Sequence, residues 1–385
     1  MPAGELLRPL AAALDGSGPA VAPLDPALPQ ARLRLLLDEL APDAIQTVDG
    51  ITRAGPSGGP PPGTGEDTAV VIVTSGSTGR PKGVELSATA LLHSARASLD
   101  RIGAAPGGRW LCCLPVSHVA GIQVLVRSLL AGTEPVVCDR LTPEVVAACG
   151  CGYVSLVPTQ LRRLVSDGAS LAPFRCILLG GAGAPARLLE QAAAAGGRVV
   201  TTYGMTETCG GCVYDGKPLD GVRIQIGPDG LIRIAGPVLF SGYRLARAFT
   251  GDGWFTTADL GSIGPSGLLT VRGRADDVIN TGGEKVVAAE VAAALESFPA
   301  VREAVVVGRP DAEWGERVTA VVVPATPDMP PELGMLREHV RRTLPASAAP
   351  RELVIMDELP LLPSGKPDLR VLRYPISNRR PDREQ

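Results

Sequence analysis

The 385-residue sequence predicts an α/β protein: a large N-terminal domain on mostly parallel sheets, a β-rich subdomain within it, and a small α+β C-terminal domain. Three observations carry that prediction. Between residues 68 and 195, apolar runs of strand length alternate with runs of helix length, the pattern that crossover units and a parallel sheet covered on both faces produce. From Val222 to Arg274 the apolar runs shorten and are separated by Gly, Pro and Asp turns. Beyond Arg274, helix-like and strand-like runs fill about a hundred residues, the size of a separate small domain.

The elements follow in order. A short N-terminal segment ends at residues 53–66, whose glycines and prolines read as a loop or linker. Residues 68–74 are apolar and β-branched, a buried strand. Ser87 caps a helix that runs to Ile102, residues 110–114 form a strand, and residues 122–130 form a helix. A strand at 136–138, a helix from Thr142, a strand at 153–157, a helix at 160–165, a strand at 176–179, an alanine-rich helix at 185–195 and a strand at 198–202 continue the alternation. In the C-terminal domain, residues 286–297 and 331–344 are helical, and 304–308, 318–323 and 353–356 are strands. The polar tail after Leu372 is expected to fray.

Composition excludes several functions. An apolar content of 45% with 20% charged residues describes a soluble globular chain. With 3% aromatic residues and a net charge of −3, there is neither a stacking platform nor an electrostatic footprint for nucleic acid or an anionic membrane. Arg8, Pro9 and Asp15 interrupt the N-terminal leucines, so no signal peptide is expected. Gln123 and Arg127 break the apolar stretch at 121–130, well short of the roughly 18 residues a membrane-spanning helix needs, and a cytoplasmic protein is expected. The eight cysteines do not form two C-x-x-C knuckles and only three histidines are present, so reduced, mostly buried thiols are expected rather than a metal centre. Four lysines stand against 33 arginines. A lysine that survives such a bias marks a place for a compact, rotatable ammonium, and Lys82, Lys285 and Lys366 all lie in motifs.

Residues 74–83 (Thr-Ser-Gly-Ser-Thr-Gly-Arg-Pro-Lys-Gly) put four hydroxyls, three glycines and an ammonium into one tight loop. Convergent backbone N–H groups, hydroxyls and a lysine suit a polyphosphate; an ordinary Gly/Ser/Thr surface turn is the plainer alternative. A Walker A loop is excluded, because Pro81 occupies the second glycine position and Gly83 the hydroxyl position after the lysine. Tyr203, Gly204, Met205, Thr206 and Glu207 follow a strand, where open α/β sheets bind ligands. Glu207 suits Mg²⁺, which needs only one or two protein carboxylates beside phosphates and water, or is a solvated loop glutamate. Asp259, flanked by small and apolar residues at 253–261, offers an acceptor for vicinal ribose hydroxyls, and Lys366 sits in Leu-Pro-Ser-Gly-Lys-Pro at 362–367.

In their order along the chain, residues 74–83, Pro-Val-Ser-His-Val-Ala-Gly at 115–121, 203–207, 253–259 with Arg274, and Gly365-Lys366 resemble the adenylate-forming superfamily of acyl-CoA synthetases, luciferases and peptide-synthetase adenylation domains. That resemblance implies an ATP-, Mg²⁺- and CoA-dependent ligase. It implies that Thr74, Ser75, Gly76, Ser77, Thr78, Gly79 and Lys82 bind ATP phosphates, that Gly181, Ala182 and Tyr203 line the adenine, and that Asp259 and Arg274 hold the ribose. Thr206 would touch the α-phosphate, Glu207 carry the metal, and Lys366 bridge acyl and ribosyl oxygens. His118 would border the acyl pocket, although a lone histidine in an apolar segment also reads as structural. Asp276 matches the family's hinge, about which a mobile domain of residues 276–385 turns against the adenylating domain of residues 1–275, bringing Gly282, Gly283 and Lys285 to the site for the CoA step.

Residues 203–222 and the short N-terminal segment look like the o-succinylbenzoate:CoA ligases of menaquinone biosynthesis. The second carboxylate of that acid calls for a cation or hydroxyl cluster that the sequence does not single out. Another aromatic or small acid, transfer to a carrier-protein thiol, and a non-catalytic nucleotide-binding protein are the alternatives. The intact set of Lys82, Glu207, Asp259, Arg274 and Lys366 argues against the last. Oligomeric state is left open, and neither a nucleic-acid nor a membrane-spanning role is expected.

Overall fold

A computed structural model describes residues 3–47, 49–53, 64–65, 67–75, 81–244, 252–362 and 365–374. Its contacts fall into two units: unit 1 comprises Met1–Ala184, Leu188–Gln225 and Arg233–Phe255, and unit 2 comprises Pro185–Arg187, Ile226–Ile232 and Thr256–Gln385. The N-terminal segment is more structured than its sequence suggests. Helix α1 (Ala3–Leu14) buries Leu6, Leu10 and Ala13, a spacing of four and three that makes one apolar face despite Pro9 inside the helix. Helix α2 (Gln30–Leu40) buries Leu36 and Leu40, and β1 (Ala44–Thr47) pairs with β2 (Gly50–Arg53).

The β-branched run ahead of the glycine-rich loop is β3 (Thr68–Ser75), but it does not join the parallel sheet. It pairs antiparallel with β4 (Pro81–Ser87), a strand the sequence reading missed. Lys82 and Glu85 break up β4's apolar content, yet Val84 and Leu86 are fully buried at every second position, which is how a half-buried strand reads. Helix α3 (Ala88–Ile102) begins as expected, with the Ser87 hydroxyl accepting from the Ala90 amide, and stops at Gly103 in the left-handed conformation.

The alternation then runs β5 (Trp110–Cys112), α4 (Val119–Leu130), β6 (Val136–Val137), α5 (Pro143–Ala148), β7 (Tyr153–Leu156), α6 (Pro158–Ser166), β8 (Cys176–Leu179), α7 (Ala186–Ala194) and β9 (Val199–Met205). Strands β6, β5, β7, β8 and β9 lie side by side and parallel, so their carboxyl ends share one edge of the sheet. Leu111, Val154, Leu156, Ile177 and Leu179 from the strands pack with Leu161, Leu164, Leu188 and Ala192 from α6 and α7. Antiparallel β10 (Gly210–Tyr214) and β11 (Lys217–Pro218) extend the sheet beyond β9. The short-stranded stretch supplies β12 (Arg223–Ile226), β13 (Leu231–Ala235) and β14 (Gly242–Tyr243), and β14 pairs with β4 to complete a three-stranded antiparallel sheet in the order β14-β4-β3.

Unit 2 holds most of β15 (Phe255–Ile263), followed by β16 (Leu269–Arg274), β17 (Val278–Thr281), β18 (Glu284–Val287), α8 (Ala288–Glu296), β19 (Val301–Asp311), β20 (Gly315–Pro324), α9 (Leu333–Arg341), β21 (Glu352–Ile355) and α10 (Leu369–Arg373). Val291, Leu295, Val306, Val318, Ala320, Val322, Leu336 and Val340 form its core. Residues 286–287 belong to a strand rather than to the expected helix, because β-branched Val286 and Val287 favour extended backbone and the alanines after them favour the helix. The expected fraying of the tail past residue 374 lies outside the described residues.

Gly121, near the start of α4, has no room for a side chain: a Cβ there would meet the backbone carbonyls of Leu114 and Pro115. The turn carrying His118 is therefore packed directly on the helix that follows. Gly121→Ala should destabilise unit 1 by about 1–3 kcal/mol, read as a lower urea midpoint. An unchanged midpoint would contradict the close packing.

Candidate functional site

In unit 1 the strands on either side of the glycine-rich segment pair antiparallel. The register pairs Thr74 with Lys82 and Ser75 with Pro81, and the Thr74 hydroxyl donates to the Lys82 carbonyl at 3.4 Å. Lys82 is thus not part of a single tight loop: it sits on β4 as the chain leaves the turn, because the Val84–Leu86 alternation draws the strand back to Pro81. Gly76, Ser77, Thr78 and Gly79, and the Ser75 side chain, lie outside the described residues. Thr74, Ser75 and Lys82 are placed at the mouth of the hairpin.

Lys82 points its ammonium at the Tyr243 ring, 5.1 Å from the centroid. The Tyr243 hydroxyl in turn donates to Glu207 Oε1 at 3.0 Å. Burial, and then the Glu207 charge, push the Tyr243 phenol's pKa up, so it stays a donor. Glu207 is the middle residue of a 3₁₀ turn, Thr206–Thr208, that follows β9 directly. The fully buried Thr208 hydroxyl fixes this turn, accepting from the Met205 amide at 2.9 Å and donating to the Gly210 carbonyl at 2.7 Å. Gly204 is required beside it, since a Cβ would run into the Gly210 carbonyl. Strand β9 also continues through Tyr203 and Gly204 to Met205, so Tyr203 lies within the strand rather than after it.

Gly181 and Ala182 follow β8, Tyr203 and Thr206 close β9, and His118 is the residue before α4 in the crossover from β5. All stand on the carboxyl side of parallel strands, the edge where open α/β sheets bind ligands. A cleft of about 320 Å³, lined in part by Cys113, Pro115, Ser117 and Cys138, opens beside residues 115–118.

Inside unit 1 the structure reveals a buried cation that the sequence reading missed. Arg127 on α4 is 5% exposed, donates to the Ser98 and Ser155 hydroxyls at 3.1 Å each, and lies 4.4 Å from the Trp110 ring centroid. Ser98 and Tyr214 share a 2.7 Å hydrogen bond in the same cluster. Burial lowers the Arg127 pKa, and Tyr214 works the other way. No carboxylate pairs with Arg127 among the described residues, and its Nε is without a hydrogen-bond partner. In sequence it was only an interruption of an apolar run; its burial was the signal, and that is a tertiary property.

Unit 2 brings Asp259, Arg274 and Lys366 together. Asp259 and Arg274 face each other across β15 and β16, with an ion pair of 3.5 Å, and Arg274 also holds Asp276 at 2.7 Å. Lys366 feels both charges. Desolvation of its ammonium lowers its pKa first, Arg274 lowers it further, and Asp259 opposes them. Gly282 and Gly283 both have positive φ and form the two-residue turn between β17 and β18, the backbone that hairpins of this kind require. A Cβ on Gly282 would strike the Trp314 ring, which carries Arg351 stacked 3.7 Å from its centroid.

Residues 12–243 match the AMP-binding enzyme family, and residues 290–366 match the AMP-binding enzyme C-terminal domain. The chain is 47% identical over 324 residues to the probable 2-succinylbenzoate–CoA ligase of Mycobacterium tuberculosis, covering 80% of this chain and 84% of that protein. The solved structure of the Bacillus subtilis o-succinylbenzoate CoA synthetase in complex with the acyl-adenylate intermediate OSB-AMP superimposes with a TM-score of 0.71 at 32% identity, over 80% of this chain and 69% of its own. The same B. subtilis enzyme in complex with ATP and magnesium ion gives 0.68 at 33% identity, over 78% and 68%.

The eight cysteines are free, and five are buried. Burial pushes Cys112 up to about 11 and Cys212 up to about 12, and raises Cys209 as well. Cys138 differs: a hydrogen bond with Cys113 lowers its pKa. An aromatic disulfide reagent at neutral pH should therefore label Cys138 first, and Cys138→Ser should remove the fast phase. Cys209 and Cys212 should react only after unfolding; fast labelling of either in the native protein would contradict its burial.

Proposed function

We propose, from the premise that this chain belongs to the AMP-binding enzyme family, that it is an AMP-forming 2-succinylbenzoate–CoA ligase. It activates o-succinylbenzoate with ATP as the acyl-adenylate and passes the acyl group to CoA, the acid–thiol ligation of menaquinone biosynthesis. The observation that carries this reading is the likeness to the M. tuberculosis ligase over four-fifths of the chain. An enzyme that consumes ATP and CoA works where both are found, so a cytoplasmic location is part of the proposal.

The residues divide the chemistry by charge. A carboxylate attacking the α-phosphorus of a triphosphate meets like charge, and cations positioned before the reaction lower that barrier. Lys82, with Thr74, Ser75 and residues 76–79, would bind the departing β- and γ-phosphates, and Thr206 the α-phosphate. Glu207, one half-buried carboxylate oriented by a neighbouring hydroxyl, is a donor suited to Mg²⁺ with phosphate and water as the remaining ligands. The metal, when bound, neutralises phosphate charge. Gly181, Ala182 and Tyr203 would border the adenine, while Asp259 accepts from the ribose hydroxyls and Arg274 holds Asp259 in place.

Lys366 would place its ammonium on the acyl and ribosyl oxygens as the phosphoanhydride forms. His118 would border the acyl pocket. Buried Arg127, with the Ser98 and Ser155 hydroxyls, would be the cation-and-hydroxyl cluster for the second carboxylate, and among the described residues no carboxylate is paired with it. Asp276, ion-paired with Arg274, would be the hinge between residues 1–275 and 276–385. Gly282, Gly283 and Lys285 would serve the CoA step.

The test is a panel of carboxylic acids with ATP and CoA, read by mass spectrometry of the thioester. We expect o-succinylbenzoyl-CoA; a thioester of another acid but not of this one would overturn the substrate, and acylation of a carrier protein alone would overturn the acceptor. Lys366→Ala should slow acid-dependent ATP–pyrophosphate exchange by at least about a hundredfold while largely sparing thioester formation from supplied acyl-adenylate. Equal loss of both would remove Lys366 from the first half-reaction. Because a lowered pKa means the ammonium is lost at a lower pH than in a free lysine, the alkaline limb of wild-type exchange should fall below the ordinary lysine range.

A further inference from the structure

We infer that Tyr243 is a positioning residue for ATP activation, its ring seating the Lys82 ammonium and its hydroxyl orienting the Glu207 carboxylate for the metal of Mg·ATP. The inference rests on the ligase reading above and goes beyond it, because Tyr243 matched none of the motifs from which the site was assembled.

The geometry puts one side chain between the two charges that handle the triphosphate. The Lys82 Nζ lies 5.1 Å from the ring centroid, inside the range of cation–π attraction, and the hydroxyl is 3.0 Å from Glu207 Oε1. The backbone that carries Tyr243 is anchored to both neighbours. Tyr243 pairs with Val84 in register, two residues from Lys82, and the Arg244 amide donates to the Gly83 carbonyl at 2.7 Å. The Phe240 amide donates to the Glu207 carbonyl at 2.9 Å, and the Phe240 ring meets the Tyr243 ring edge-on at 4.9 Å. Residues 240–244 therefore hold the backbones of β4 and of the Glu207 turn, while the Tyr243 side chain reaches both Lys82 and Glu207.

Packing by itself would be served by phenylalanine, since the contacts with Phe240 and Lys82 involve the ring. The hydroxyl adds one thing, a hydrogen bond to a carboxylate oxygen. That bond leaves Glu207 fewer orientations in which to meet a metal, the role that outer-shell partners play at metal sites. The ring likewise keeps a flexible lysine near one place, reducing the entropy lost when its ammonium takes up a phosphate.

The test is calorimetric titration with ATP, without acid, in the presence of Mg²⁺ or of chelator, using wild type, Tyr243→Phe, Tyr243→Leu, Glu207→Gln and the Tyr243→Phe/Glu207→Gln pair. Tyr243→Phe should weaken Mg²⁺-dependent ATP binding by about tenfold and leave chelator-condition binding unchanged. In the Glu207→Gln background the same change should have no further effect, because the hydroxyl acts through the carboxylate. Tyr243→Leu should weaken ATP binding under both conditions, since Lys82 loses its seat. Wild-type Mg²⁺ dependence in Tyr243→Phe, or losses that add in the double variant, would overturn the inference even if Tyr243→Leu fails to fold. Acid-dependent ATP–pyrophosphate exchange by the wild type separates the two levels: its absence undoes the ligase reading, whereas normal exchange with an unaffected Tyr243→Phe undoes only the role of Tyr243.

Discussion

The guanidinium of Arg244 joins three segments that are remote in sequence. It donates to the carbonyls of Leu40 at 2.6 Å and Ala41 at 3.3 Å, and pairs with Glu85 at 3.2 Å, while buried to 6% exposure. A buried charge that loses its partner costs about 3–5 kcal/mol, so the end of α2, the middle of β4 and the end of β14 are held in one fixed relation. Everything proposed for the triphosphate side of unit 1 depends on that relation. Lys82 stands three residues before Glu85, Tyr243 stands next to Arg244, and Glu207 is reached from Tyr243.

The same division of labour runs through the molecule. Arginine makes the structural ion pairs, in Arg244–Glu85, Arg272–Glu290 and Arg309–Glu352, where a planar fork with several donors can satisfy carboxylates and carbonyls at once. Lysine is scarce, and Lys82 and Lys366 are the two proposed to meet a phosphate and an acyl oxygen, where a compact, rotatable ammonium suits. Arg127 departs from these three arginines. It is buried on hydroxyls and an indole rather than on a carboxylate, an arrangement that costs free energy unless an anion completes it.

Much of the fold was legible because its main sheet is buried on both faces. Strands such as Tyr153–Leu156 and Cys176–Leu179 read as continuous apolar runs, and the helices between them show their apolar faces at helical spacing. Strand β4 was not legible, since the charges of Lys82 and Glu85 dilute its local apolar pattern, and the partner of Glu85 is the remote Arg244. The N-terminal helices were missed for a related reason: Pro9 and the loop residues around 16–29 hide a face that packs on β3, α3 and α4, further along the chain. Residues 286–287 went to a strand, where they pair with Ile279 and Val278; a helix read from residue 286 passes over the extended preference of two adjacent valines.

By itself the sequence determined the alternation of elements and offered Lys82, Glu207, Asp259, Arg274 and Lys366 as candidate site residues, because spacing and side-chain chemistry are local properties. Only the tertiary structure decided that Lys82 lies on a strand, that Tyr243 stands between it and Glu207, that Asp259 and Arg274 face each other near Lys366, and that Arg127 is buried with no carboxylate paired to it among the described residues. Those facts concern burial and pairing between residues that range from eight to more than a hundred positions apart. Both are set by which surfaces the chain removes from water, and so they exist only once it has folded.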